Sequence, residues 1–481
     1  MGREEEIIKE RKKKLKELRK KGINPYPARF DKKDSVEKAL KAKSGSKIKT
    51  AGRVMSYRGI GKIIFSDLQD FSGKIQLVFQ DDKTPAKDSE FFKKYIDVGD
   101  IIGVEGTIIK TKTGQHSLLV KKLELLTKSL LPLPSKWHGL QDKEERYRKR
   151  YLDLIMNPEM RELFKKKYVF WKSIRDFMES KDFMEVETPV LENTPGGADA
   201  NPFITHHNAL DIDVYLRISM GELWQKRLMV AGYEKTFELG RQFRNEGLSP
   251  EHLQDYSQME FYWAYADYNQ GMELVEQMYK YTTKKVLGTL KFETMGFKID
   301  MGKKWEKYDY EKMIKKYTKI DIYKATDNDI KKKLKELKLD FDPVLDKWKL
   351  VDVLWKYCRK KLAGPGFLIN QPVEVSPLAK RKEKEIKKVE RFQVIIAGSE
   401  IGNGYSELND PLDQEKRFEE QAKKREKGDQ EAQMHDKDFV EALKYGMPPT
   451  CGFGVSERLF SFLMDKPIKD CVLFPLMKPE K

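Results

Sequence analysis

The stretch Arg241-Gln-Phe-Arg-Asn-Glu-Gly247, continued by His252 and by Tyr256-Ser-Gln-Met-Glu-Phe-Tyr262, alternates in steps of two on either side of a polar interval. Phe237, Leu239, Arg241 and Phe243 share one face of the first limb, and Met259, Phe261 and Trp263 alternate with Glu260 and Tyr262 on the second, which predicts an antiparallel hairpin. A period of two aims Arg244 and Glu246 one way and sets Glu260 and Tyr262 together on one face. Gly247 to Asp255 is the turn. The planar, permanently charged fork of Arg244 suits phosphate oxygens, Glu246 can accept from an adenine amino group, and Tyr256 can stack on a base. Taken alone, Arg-Asn-Glu reads equally well as a surface ion pair.

The chain has 481 residues, room for two or three domains and a large core. Its net charge of +17 favours a polyanionic partner, although a well-solvated lysine-rich surface has the same balance. Cys358, Cys451 and Cys471 are too scattered for a disulfide framework or a zinc knuckle, so a reducing cytoplasm is expected. The first residues lack the apolar core of a signal peptide, and Glu6 stands where a myristoylation signal needs Ser or Thr. No apolar run is long enough to span a bilayer; a soluble protein without a membrane partner is expected.

Residues 3–21 predict a charged helix with Ile8, Leu15 and Leu18 as its apolar stripe, ended by Gly22 and Pro25. Its basic face from Arg11 to Lys21 reads either as an RNA contact or as solvated surface. From 47 to 130 five short alternating segments, 49–56, 61–69, 74–80, 100–107 and 118–126, predict a small barrel of the OB type. Pro132, Pro134 and Trp137 mark a linker, and the second half begins near His138. Residues 160–181 predict a long helix leading into F-M-E-V-E-T-P at 183–189, and the Lys-rich stretch 298–365, including 303–317, reads as helical. Gly402 and Gly404 interrupt a strand pattern and permit a bulge that lets Glu400 and Glu407 face one site.

Longer blocks run along almost the whole chain: G-I-N-P-Y-P at 22–27, H-G-L-Q-D-K-E-E-R-Y-R-K-R-Y-L-D-L at 138–154 and P-G-G-A-D-A-N-P-F-I-T-H-H-N-A-L at 195–210. A-Y-A-D-Y at 264–268, P-V-E-V-S-P-L-A-K-R at 372–381, E-I-G-N-G-Y-S-E-L-N-D at 400–410 and G-M-P-P-T at 446–450 follow. In this order the sequence resembles the class II aminoacyl-tRNA synthetases, specifically the lysyl-tRNA synthetases. The resemblance implies an α+β protein: a basic helix over 1–22, an OB-fold anticodon barrel over 23–135, and a catalytic domain over 136–481. That domain would be an antiparallel sheet flanked by helices, with a helical insertion at 296–365. It implies a homodimer acting on lysine, ATP and tRNA(Lys).

The resemblance also implies roles for residues. Glu260 and Glu407 match the acids that read the lysine side chain, Tyr262 their hydroxyl partner, Glu222 the acid on the α-amino group, Gly197 the room beside it, and Asn403 the amide on the α-carboxylate. Carboxylates suit this task because removing an ammonium from water is costly unless acids replace its hydration; an aspartate or asparagine enzyme would need the opposite chemistry. Arg244 and Arg458 match the catalytic cations on the α-phosphate and the γ-phosphate end. Glu246, His252, Tyr256 and Glu400 complete the ATP site. Glu400 would hold Mg²⁺, the number of ions being left open by Gln393, an amide where the family has a second glutamate. Phe65, Gln76 and Glu124 match the anticodon readers, although Phe65 also reads as core.

Three further departures predict altered loop geometry with activity retained. R-I-S-M-G-E-L at 217–223 carries one extra residue, Leu253 replaces an asparagine after His252, and the segment before Arg458 is one residue short, with Ser456-Glu457. Two other readings remain: a lysine-ligating paralogue that modifies a translation factor, which lacks the barrel, and a catalytically dead RNA-binding protein, which would have lost Arg244, Glu246, Glu400 and Arg458.

Overall fold

The computed structural model describes residues 2–134, 140, 142–198, 200–247, 249, 251–426 and 433–480. The expected linker tryptophan Trp137, the start near His138 and the 135/136 boundary lie outside the described residues. The chain divides into two compact units, Met1–Arg161 and Glu162–Lys481.

In the first unit β1 (Lys47–Ile60), β2 (Ile63–Gln69), β3 (Lys74–Gln80), β4 (Ile101–Lys110) and β5 (His116–Thr127) close into a barrel in the order β1-β2-β3-β5-β4. Alternation is the cause. Ile64, Leu68, Ile75, Leu77, Val104 and Leu118 point inward and are buried, whereas their neighbours face out. Close approach demands glycine at 106, where a Cβ would stand 2.2 Å from Leu119 O. The helix Arg3–Lys20 buries Leu15 and Leu18, as its stripe predicts. Part of its basic face does something else: Arg11 is buried and donates to Ser129 O, Leu131 O and Val98 O, and Lys14 pairs with Asp97 at 2.7 Å. These two cations fasten the helix to the barrel and are not free for phosphate; Lys12, Lys13, Lys16, Arg19, Lys20 and Lys21 remain exposed.

The second unit begins with the long helix Pro158–Glu179, most of which it contains, and β6 (Met184–Glu185). A small sheet follows, β7 (Leu191–Glu192), β8 (Ile204–His207) and β9 (Ile212–Leu216), in the order β7-β9-β8. After the helix Glu222–Val230 come β10 (Lys235–Phe243) and β11 (Asp255–Ala264), the expected hairpin, paired Phe237 to Phe261 and Glu238 to Glu260. The helix Tyr268–Leu287, with a capping box at Asp267 and Gln270, precedes the hairpin β12 (Lys291–Thr294) and β13 (Phe297–Asp300). Next are β14 (Glu306–Asp309), β15 (Gly366–Ile369), β16 (Arg391–Ile396), β17 (Ser399–Ser406) and β18 (Thr450–Ser456). The main sheet has eight strands, β14-β15-β16-β17-β18-β11-β10-β6, antiparallel through its centre and parallel at both edges.

The structure differs from sequence at 303–317. Residues Glu306–Asp309 are an edge strand, not helix, and Asp309 turns the chain by capping the helix Tyr310–Thr318, accepting from Lys312 N at 3.0 Å. The helices Tyr310–Thr318, Asp327–Glu336 and Lys347–Arg359 then pack around Ile314, Ile330, Leu334, Leu350 and Trp355. Among the described residues no helix is long and apolar enough to cross a membrane.

Candidate active site

Every residue expected to bind lysine or ATP lines one cavity of about 340 Å³ over the main sheet. Its inner end is acidic. Glu260, on β11, is buried; its Oε1 accepts from Met220 N at 3.0 Å and Gln258 Nε2 at 2.6 Å, and its Oε2 from Tyr262 OH at 3.2 Å. Burial, reinforced by Glu222, pushes the Glu260 carboxyl up to about 7. Glu222 opens the helix Glu222–Val230, where Gly221 at φ 67° replaces a capping side chain. Its Oε1 accepts from Lys226 Nζ at 2.7 Å and from Tyr405 OH. The extra residue in this segment therefore does not remove Glu222 from the cavity. Gly197, at φ +87°, leaves the room expected of it, since a Cβ would meet Glu222 Cβ at 2.7 Å.

Glu407 follows directly on β17, two residues beyond Tyr405, and is buried. The expected bulge is present: Gln393 pairs with Asn403 but Ile395 with Glu400, so β17 carries one extra residue at 401–402. That shift brings Glu400 and Glu407 to the same cavity. Glu407 Oε2 lies 2.6 Å from Lys226 Nζ, a buried ion pair that lowers the carboxyl against the strong upward push of its burial. Asn403 Oδ1 accepts from Arg391 Nε at 2.8 Å.

The outer end is cationic. Arg244 continues the hairpin past β10, with its N donating to Gln254 O, its Nε to Ile218 O at 3.2 Å, and its guanidinium 5.9 Å from the Tyr256 ring. Glu246 and His252 line the same end; His252 Nδ1 is 2.7 Å from Ser249 Oγ, and burial lowers its pKa, keeping the ring neutral at pH 7. Arg458 heads the helix Arg458–Leu463, and burial draws its pKa down to about 10. Its Nη1 donates to Glu400 O, its Nη2 is paired with Glu251, and its buried Nε has no partner among the described residues. Glu400 accepts from Trp355 Nε1.

The family described as tRNA synthetases class II (D, K and N) matches residues 142–478, and the OB-fold nucleic acid binding domain matches residues 48–126. The lysine–tRNA ligase of Thermosipho africanus is 45% identical over 477 residues, 97% of this chain and 94% of that protein. The lysine–tRNA ligase of Thermotoga maritima is 44% identical over 487 residues, 99% and 97% respectively, and that of Thermosipho melanesiensis 43% over 484, 98% and 96%. The chain belongs to the class II lysine–tRNA ligase family.

For a synthetase of this class the barrel matters as well. Phe65 on β2 and Gln76 on β3 share its outer face: Asp67, two residues after Phe65, pairs with Gln76. Phe65 is half-buried beneath the Arg58 guanidinium, 5.7 Å from its ring, and Gln76 Oε1 accepts from Ser117 Oγ at 2.9 Å. Glu124 is exposed opposite Gly103, and the structure does not bring it to that pair. Ser117 is the β5 residue beside Gln76, and Glu124 lies about 20 Å further along the strand at ~3.3 Å per residue.

Five cavity residues or partners escaped sequence reasoning. Gln258 and Arg391 precede Glu260 and Gln393 by two positions, so strand period alone would have found them. Lys226 stands one helical turn from Glu222. Glu251 and Trp355 carry no local signal; only the fold brings them to Arg458 and Glu400.

Proposed function

We infer that this protein attaches lysine to the 3′ end of tRNA(Lys) at the expense of ATP, through a lysyl-adenylate, releasing pyrophosphate and AMP. The observation that carries the reading is one cavity with three buried carboxylates, Glu222, Glu260 and Glu407, at one end and two arginines, Arg244 and Arg458, at the other. A dication with a carboxylate fits the first end, a triphosphate the second. The lysine carboxylate attacks the α-phosphorus, forming a P–O bond as the bond to pyrophosphate breaks; the terminal ribose hydroxyl then takes the lysyl group and AMP leaves.

No enzyme nucleophile is required, so this chain's residues act by position and charge. Glu260, held by Tyr262 and Gln258, and Glu407 take the ε-ammonium; Glu222 takes the α-ammonium; Asn403 lies by the α-carboxylate. Arg244 spans that carboxylate and the α-phosphate, with Tyr256 beneath it. Glu246 and His252 border the nucleotide, and Arg458 meets the outer phosphates after exchanging Glu251 for them.

Mg²⁺ fits the donor chemistry. Among the described residues no group of three His, Cys, Asp or Glu forms a protein-only metal site, and Mg²⁺ bound to a nucleotide takes one or two carboxylates with phosphate oxygens and water. Glu400 is the residue that would hold it, with Gln393 beside it, and the ion would supply charge neutralisation on the triphosphate.

We assign 23–135 to anticodon reading through Phe65 and Gln76, with Glu124 at a separate place on the barrel, 136–481 to catalysis and 296–365 to an insertion. A homodimer is supported by the apolar side chains Met184, Val190, Leu191, Ile204, Leu210 and Ile212, all exposed within one short stretch. Three free, buried cysteines suit a cytoplasmic location. Lysine-dependent exchange of pyrophosphate into ATP, followed by charging of tRNA(Lys), tests the reading. Exchange driven by another amino acid, or transfer to a protein in place of tRNA, would refute it.

A further inference from the structure

Behind the acids that line the cavity lies a cation that the foregoing chemistry does not use. Lys226 Nζ donates to Glu222 Oε1 at 2.7 Å and lies 2.6 Å from Glu407 Oε2, with only 1% of its side chain exposed. The rings of Tyr262, Tyr405 and Phe439 surround it, their centroids 6.0, 5.5 and 5.8 Å from Nζ. The charged groups facing it come from its own helix (Glu222) and from the residue after β17 (Glu407); β11 adds Glu260 and the Tyr262 hydroxyl, and β17 the Tyr405 hydroxyl. The helix Lys437–Lys444 presents Phe439 to it.

We propose that Lys226 is a positioning residue for the amino acid: a built-in ammonium that ties Glu222 to Glu407 and leaves the cavity with charge for the two ammonium groups of lysine. Three buried carboxylates need three cations. Lys226 supplies one and the substrate two. Burial works against the Lys226 ammonium, but Glu222 and Glu407 outweigh it and its pKa rises, so it stays charged. In the empty cavity burial also pushes Glu260 and Glu407 upward, and the ammonium groups of an arriving lysine favour their ionised forms. Without Lys226 the cation that favours ionised Glu222 and Glu407 is gone, those carboxyls give up their protons less readily, and lysine binding requires a higher pH.

The proposal rests on the lysine-site reading, and lysine-dependent pyrophosphate exchange from pH 6 to 9 separates the two. If the native protein shows no lysine-dependent exchange, the reading itself falls and takes the proposal with it. With exchange established, Lys226→Met should raise KM for lysine at pH 7 by about 10-fold or more and move the rising limb of kcat/KM for lysine upward by roughly one pH unit, with KM for ATP within about two-fold. Lys226→Arg, which keeps the charge, should return the limb to its native position. A Lys226→Met enzyme with native KM and limb overturns the proposal, as does one with a lower KM for lysine, which would make Lys226 a competitor of the substrate. If that variant does not fold, Lys226→Gln, which keeps most of the side chain's length without its charge, takes its place in the same assay: an upward limb and a raised KM for lysine support the proposal, and a native limb and KM overturn it.

Discussion

A carboxylate that reads an ammonium must be ionised when the amino acid is bound, and Glu260, at about 7 in the empty cavity, stands at the edge of that condition. Below that pH it keeps a proton and above it offers a full charge. The specificity constant for lysine should therefore rise with pH through about 7, and Glu260→Gln should lower it by at least ~10²-fold and flatten that part of the profile. Initial-rate exchange assays over pH 6 to 9 measure both. Glu192 shows the same physics in stability. It is buried, accepts from Trp224 Nε1 at 3.0 Å, leaves Oε2 without a partner among the described residues, and is pushed by burial up to about 8 from 4.5. A raised pKa means that the folded chain holds a proton the unfolded chain has released. Its contribution is thus full below about 4.5 and is lost as pH rises through about 8. Glu192→Gln, which cannot ionise, should melt close to the native protein at pH 5 and above it at pH 9.

At the scale of elements, the strand β18 lets the acids approach because it is thin. A Cβ at Gly452 would stand 2.2 Å from Glu407 Oε1 and 2.6 Å from Tyr262 Cε1. Gly452→Ala should cost about 1–3 kcal/mol by overpacking and raise KM for lysine with little effect on KM for ATP, read by thermal melts and exchange kinetics. Elements with a clear period are legible in the sequence alone: the hairpin of β10 and β11, the barrel strands, and the bulge at Gly402. Apart from Gln258 and Arg391, which the strand period could have given, what escaped had little local signature. Glu306–Asp309 has the charge density of the helix it precedes, and its strand state comes from pairing with β15. Arg11 and Lys14 sit in a basic run whose members look alike in sequence, although only these two meet the barrel's carbonyls and Asp97. Lys226 resembles an ordinary helix-surface lysine until the sheet closes over it.

At the scale of the molecule, the proposed reading gives anticodon recognition to the first unit and lysine activation to the second. Base stacking on an aromatic is worth about 1–3 kcal/mol, so Phe65→Ala should weaken kcat/KM for tRNA by roughly 5- to 150-fold while lysine-dependent pyrophosphate exchange stays native. Leu191 is 48% and Ile204 63% exposed, areas a lone subunit would leave wet. If the proposed homodimer buries this surface, the native protein should sediment as a dimer and the Leu191→Arg, Ile204→Arg double variant as a monomer, with a loss of charging activity. The three helices between 310 and 359 have a different bearing on the whole. Trp355, buried at their centre, reaches out of that bundle to grip Glu400. Trimming this bundle to make a smaller catalyst would thus cut a tether as well as shed mass, and the nucleotide end would pay for it first.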